Sequence, residues 1–180
     1  MNNSSIRKIV VYASYIIVAV LIQFNYPDQL EIAGIKPDFL LIISVMTAYL
    51  HGVYDGIVIG IIAGLLKDVY AGRYLGLGTL LCLYCALIAS IFLKNNLSTG
   101  LLPALLQTLI ASVFYYTILM GLTLITYDIP YSYGIYFKFW ILNKTLPGIA
   151  MNAIAGLIIF VAFKTISPYR KSSYMIDSEI

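Results

Sequence analysis

Few residues in this chain can do chemistry, and they fall into a handful of places. Lys67 and Asp68 stand side by side near the end of a glycine-rich apolar run, Gly56 to Gly78. Asp38 follows Pro37 ahead of another apolar run, and His51 and Asp55 flank a short break. Cys82 and Cys85 form a CxxC, while Gln107 and Asn152 are amides inside apolar stretches. A CxxC invites a zinc or redox reading, but there is no second pair and His51 is the only histidine. That is too few ligands for a metal site. Both cysteines read as small, polarisable packing residues. No HExxH or GxSxG is present, and AGRYLGLG at 71–78 lacks the phosphate-loop pattern GxxxxGK[ST]. An enzyme is not expected, nor is a cofactor.

Asp68 stands out by its spacing. Gly56, Gly60 and Gly64 recur every fourth residue, and the same step reaches Asp68, Gly72 and Gly76. Small residues at this spacing let helix backbones approach in lipid, where apolar burial no longer drives association. Four residues advance 400° at 3.6 per turn, so the stripe drifts around the helix and suits a crossing partner. Asp68, one turn beyond Gly64, is expected to face that partner. Two roles remain open for it: a cap or local ion pair with Arg73 that fixes the turn, or part of a polar pocket or protein contact. Lys67 is adjacent, so it should point about 100° away and reach the headgroups. Asp38 suits the positive end of its own helix. Gly148, Asn152 and Gly156 repeat the four-residue spacing late in the chain. Asn152 should bond across to another helix. The helix-packing or partner-contact candidates are therefore Gly56, Gly60, Gly64, Asp68, Gly72, Gly76 and Asn152.

These residues need a scaffold, and composition says which kind. The chain is 61% hydrophobic and 11% charged, where soluble domains carry about 25% charge. Its mean hydropathy is +0.92. This is an all-α integral membrane protein. Six apolar runs predict six transmembrane helices in one compact bundle, at about 9–24, 38–50, 56–70, 75–93, 101–125 and 145–163. Residues 164–180 read as a disordered tail. Between the last two spans, DIPYSYGIYFKFWILNK holds Tyr131, Tyr133, Tyr136 and Trp140. Aromatics concentrate at the headgroup level, so a short interfacial helix is expected there, with a partner-docking surface as a compatible alternative.

The net charge of +3 comes from scattered basic residues. They read as membrane-flanking charges, with no nucleic-acid partner. An even number of spans puts both termini on one side, with Arg7, Lys8, Lys94, Lys164, Arg170 and Lys171. Lys36, Lys67, Arg73, Lys138 and Lys144 fall on the other. The positive-inside rule then places both termini in the cytoplasm.

One segment, Lys36 to Lys94, resembles the rod shape-determining protein MreD family. The resemblance lies in Pro37 opening a span and a glycine-containing hairpin at Gly52 and Gly56. A glycine-rich helix follows (Gly60, Gly64) and ends in Leu65, Leu66 and Asp68. Then come Gly72, Leu75, Gly76 and Leu77. It implies a non-enzymatic scaffold in the bacterial plasma membrane. Such a scaffold would act in cell-wall elongation beside an MreC-like protein, the MreB filament and the elongation enzymes. A second copy of the chain is a further candidate partner. The MreD family also looks like the substrate-binding membrane subunits of energy-coupling-factor vitamin transporters. A vitamin-binding module is the alternative, and it would need convergent polar groups around a cavity.

Overall fold

The computed structural model describes residues 3–71, 76–93, 100–126 and 133–166. The described residues form seven α-helices and no strand. They are α1 (Asn3–Phe24), α2 (Phe39–His51), α3 (Val53–Ala71), α4 (Leu77–Leu93), α5 (Leu101–Thr126), α6 (Tyr133–Trp140) and α7 (Leu146–Ile166). Gly72, Tyr131, Arg73 and the tail from 167 lie outside the described residues.

Local chemistry sets the breaks. Gly52, at φ +108°, separates α2 from α3 with a conformation that L side chains rarely adopt. The break is a single residue. Asp55 therefore lies in the first turn of α3, which begins before Gly56. Gly76, at φ +97°, ends the turn before α4. The aromatic stretch is not a separate helix. α6 passes through a π-helical turn, Ile141–Thr145, straight into α7. Pro147 has no amide to give the carbonyl four residues back, and the widened turn precedes it.

α2 is the hub, packing against α1, α3, α4, α5 and α7. Every residue from Leu40 to Tyr49 is buried. The glycine-rich α3 is thus half of the centre, joined to α2 as an antiparallel hairpin. α5 and α7 pair on the other side. Three helical stretches are long and apolar enough to cross a membrane: Ile6–Phe24, Leu101–Thr126 and Tyr133–Thr165. α2 and α4 are shorter apolar helices, and α3 carries Asp55, Lys67 and Asp68. The outward faces are apolar, as in the α3 stripe Tyr54, Val58, Ile62, Leu65 and Val69. Chains of this composition with such faces belong in lipid, and this is a membrane protein.

One part of the molecule is packed less than the rest. Buried side chains stop at Tyr116 in α5 and resume at Gly148 in α7. The described residues between them, 117–126 and 133–147, form an arm in which no side chain is buried. The loop at 25–38 is tied by Lys36, which pairs with Glu31 at 3.1 Å and with Asp28 at 3.7 Å.

Candidate functional site

Glycines build the frame around the polar groups. A Cβ on Gly64 would lie 2.3 Å from the Thr79 Cα, and one on Gly60 would lie 3.2 Å from the Cys82 carbonyl oxygen. These two face α4. Gly56 faces α2, where a Cβ would meet Ala48 at 2.3 Å. The stripe therefore serves two neighbours, as its drift around the helix requires. Cys82 and Cys85 are buried and free behind it. The Cys85 thiol donates to the Ala111 carbonyl at 3.6 Å.

Asp68 continues the stripe into the start of α4. Its carboxylate accepts from the Gly76 amide at 3.0 Å, Gly78 at 2.6 Å and Thr79 at 3.0 Å. The Thr79 hydroxyl donates to it at 2.7 Å. These are first-turn donors that a helix cannot satisfy itself, so Asp68 caps α4 from a neighbouring helix. Gly78 is needed here because a Cβ would lie 2.6 Å from Asp68 Oδ1.

Lys67 does not reach the headgroups. Its ammonium turns inward, pairs with Asp38 and contacts the Tyr115 hydroxyl. It lies 4.0 Å from the Tyr115 ring centroid. Asp38 is 7% exposed. One of its oxygens takes the lysine, and the other accepts from the Leu41 amide at 3.1 Å as the N-cap of α2. The Asp38 amide donates to the Asn152 side-chain oxygen at 2.7 Å. The Asn152 amide nitrogen in turn donates to the Ser112 hydroxyl at 3.0 Å. The Phe39 amide donates to Gln23 at 2.8 Å. Side chains from α1, α3, α5 and α7 thus converge on the start of α2. Irregular backbone at 35–38 is tolerated there because protein supplies its partners.

Asn152 belongs to a second stripe. Gly148 packs against the Tyr116 ring, Asn152 bonds to Ser112, and Gly156 packs against Thr108. The contacts step by four residues along both α5 and α7, antiparallel. The opposite end has its own polar group. Lys8 pairs with Asp55 at 2.7 Å, the Tyr12 hydroxyl donates to Asp55 at 2.9 Å, and His51 packs edge-on to Tyr12. Along α3, Asp55 to Lys67 is about 18 Å at 1.5 Å per residue. The apolar middle of the bundle lies between these two polar ends.

The interfacial candidates stand apart. Tyr133 is exposed, and Tyr136 and Trp140 on α6 lie with ring centroids 5.8 Å apart. None belongs to the polar cluster. Gln23, Lys67, Ser112 and Tyr115 are the members that sequence reasoning did not assign to it. A signal existed for Lys67: it and Asp38 are opposite charges expected at the same end of adjacent spans.

This geometry joins helices, and no described group of three or more His, Cys, Asp or Glu could hold a metal. The rod shape-determining protein MreD family matches residues 3–165, nearly the whole chain. The chain belongs to the MreD family. The match takes in the hairpin, the Asp68 cap and the arm alike. MreD is a shape-determination family, so a role in rod shape follows from membership. No curated protein and no solved structure matches the chain.

Proposed function

We propose that the chain is a non-enzymatic, six-span scaffold of the cell-wall elongation machinery in the bacterial plasma membrane. Both termini face the cytoplasm. It acts by holding the membrane helix of an MreC-like partner. The observation that carries this reading is the contrast between the two ends of α5. Below Tyr116 the polar groups are consumed by one another: Asp38 with Lys67, Asn152 with Ser112, Asp68 with α4. Above it, the arm at 117–126 and 133–147 holds no buried side chain and leaves Ile125, Tyr133, Ile135, Phe137 and Phe139 exposed. Exposed apolar surface marks a contact with protein or with membrane, and the arm differs from the lipid-facing sides of the other helices in having no buried side chain of its own. The vitamin-binding alternative has less support, because Asp38, Lys67, Asn152 and Ser112 bond to each other instead of lining a cavity.

Co-purification tests the proposal. Phe137→Ser with Phe139→Ser removes exposed arm surface without touching the core. Recovery of the MreC-like protein should fall and cells should round, at unchanged membrane abundance of the variant. Full recovery of the partner, or a bound vitamin-like molecule in its place, would overturn the scaffold reading.

A further inference from the structure

The α5–α7 seam ends in a crevice that the scaffold role does not use. It is lined by Leu101, Phe160, Val161, Lys164 and Thr165, with a volume of about 360 Å³. Its base is Phe160, 1% exposed. Its walls are Leu101 and Val161, each 53% exposed. They open toward the surface that lipid covers. Continuing the steps of four from Tyr116–Gly148 through Thr108–Gly156 brings Lys164 level with Gly100, just ahead of α5. The crevice therefore lies at the same end as Lys8 and Asp55, near the headgroup level.

Lys164 is the only charge among the described residues of the lining. Among the described residues no carboxylate pairs with it, and its ammonium lies 5.9 Å from the Phe160 ring centroid. A cation with no carboxylate partner among the described residues, above an apolar slot between two membrane helices, complements one class of molecule. A phosphate oxygen satisfies the ammonium, and an acyl chain fills the slot. Basic pockets between membrane helices on the cytoplasmic side bind anionic headgroups in this way. We infer that this crevice is a binding site for an anionic phospholipid of the adjoining leaflet, with Lys164 on the phosphate and Leu101, Phe160 and Val161 along a chain. A lipid held there bridges the ends of α5 and α7, the pair that carries the arm.

The test is native mass spectrometry of delipidated protein titrated with phosphatidylglycerol, phosphatidylcholine or inorganic phosphate. One phosphatidylglycerol should bind in preference to phosphatidylcholine. Lys164→Gln should weaken it by about fivefold, the effect of one basic residue near an anionic surface. Val161→Trp, which keeps the charge and fills the slot, should weaken it too. Lys138→Gln, on exposed α6, should leave it unchanged. Equal binding by Lys164→Gln and Lys138→Gln would overturn the site. Full binding by Val161→Trp would overturn the chain slot, and displacement by millimolar inorganic phosphate would show a phosphate site, not a lipid one.

Discussion

The Asp38 amide donates to the Asn152 side chain at 2.7 Å, across 114 residues of sequence. This bond hangs the start of the central helix on the last one. Asn152→Ala leaves the Asp38 amide and the Ser112 hydroxyl without that partner in a dry interior. An unsatisfied buried group costs about 1–3 kcal/mol. The variant should unfold earlier in a detergent titration, with helix content retained up to the transition. An unchanged midpoint would mean that water replaces the amide.

Lys67 and Asp38 should behave as a unit. Removing one partner of a buried ion pair leaves an uncompensated charge and costs about 3–5 kcal/mol. Lys67→Met and Asp38→Asn should each lower membrane abundance and thermal stability sharply. The double variant should recover most of the loss, because the asparagine still caps α2 and no charge remains. Additive losses would show that the two side chains do not interact.

The glycines of α3 should not be equivalent. Gly64→Ala drives a methyl to 2.3 Å of the Thr79 backbone, whereas Gly60→Ala meets a carbonyl at 3.2 Å. Backbone cannot yield as a flexible side chain can, and overpacking typically costs about 1–3 kcal/mol. Gly64→Ala should therefore destabilise clearly more than Gly60→Ala in the same thermal assay. Equal losses would contradict the close approach of α3 to α4 at Gly64.

Asp68 should act through α4. Asp68→Ala removes the acceptor for the Gly76, Gly78 and Thr79 amides, and losing an N-cap costs about 0.5–2 kcal/mol. Hydrogen exchange should rise at 76–80 and stay unchanged at Phe39–Leu41. Asp68→Asn keeps one acceptor oxygen and should lie between. A uniform rise across all helices would point to global loosening instead.

How much of this was legible differs by feature. The apolar runs mark where the helices lie, three of them long and apolar enough to cross a membrane, and glycine at four-residue spacing marks where α3 approaches its neighbours. Asp68 could be placed at the α4 side by the same step. The hub could not. α2 is apolar on every side, so no face distinguishes a central helix from one bathed in lipid. Lys67 was misdirected by a sound default, since a lone lysine near a span end reaches headgroups unless a carboxylate waits inside. Only the fold brings Asp38 beside it, through a hairpin that sets residues 29 positions apart side by side. The π-helical turn was hidden because Pro147 reads as an ordinary first-turn proline.

The central claim is that the arm, not the lipid-facing core, receives the partner. In-cell photo-crosslinking tests it directly, with a photoreactive residue at Ile125, Phe137 or Phe139 on the arm and at Val10 or Ile17 on α1. All five side chains are exposed. Adducts with the MreC-like protein should form from the arm positions and not from α1. Adducts from α1 alone, or none from any arm position in cells that keep their rod shape, would contradict the account.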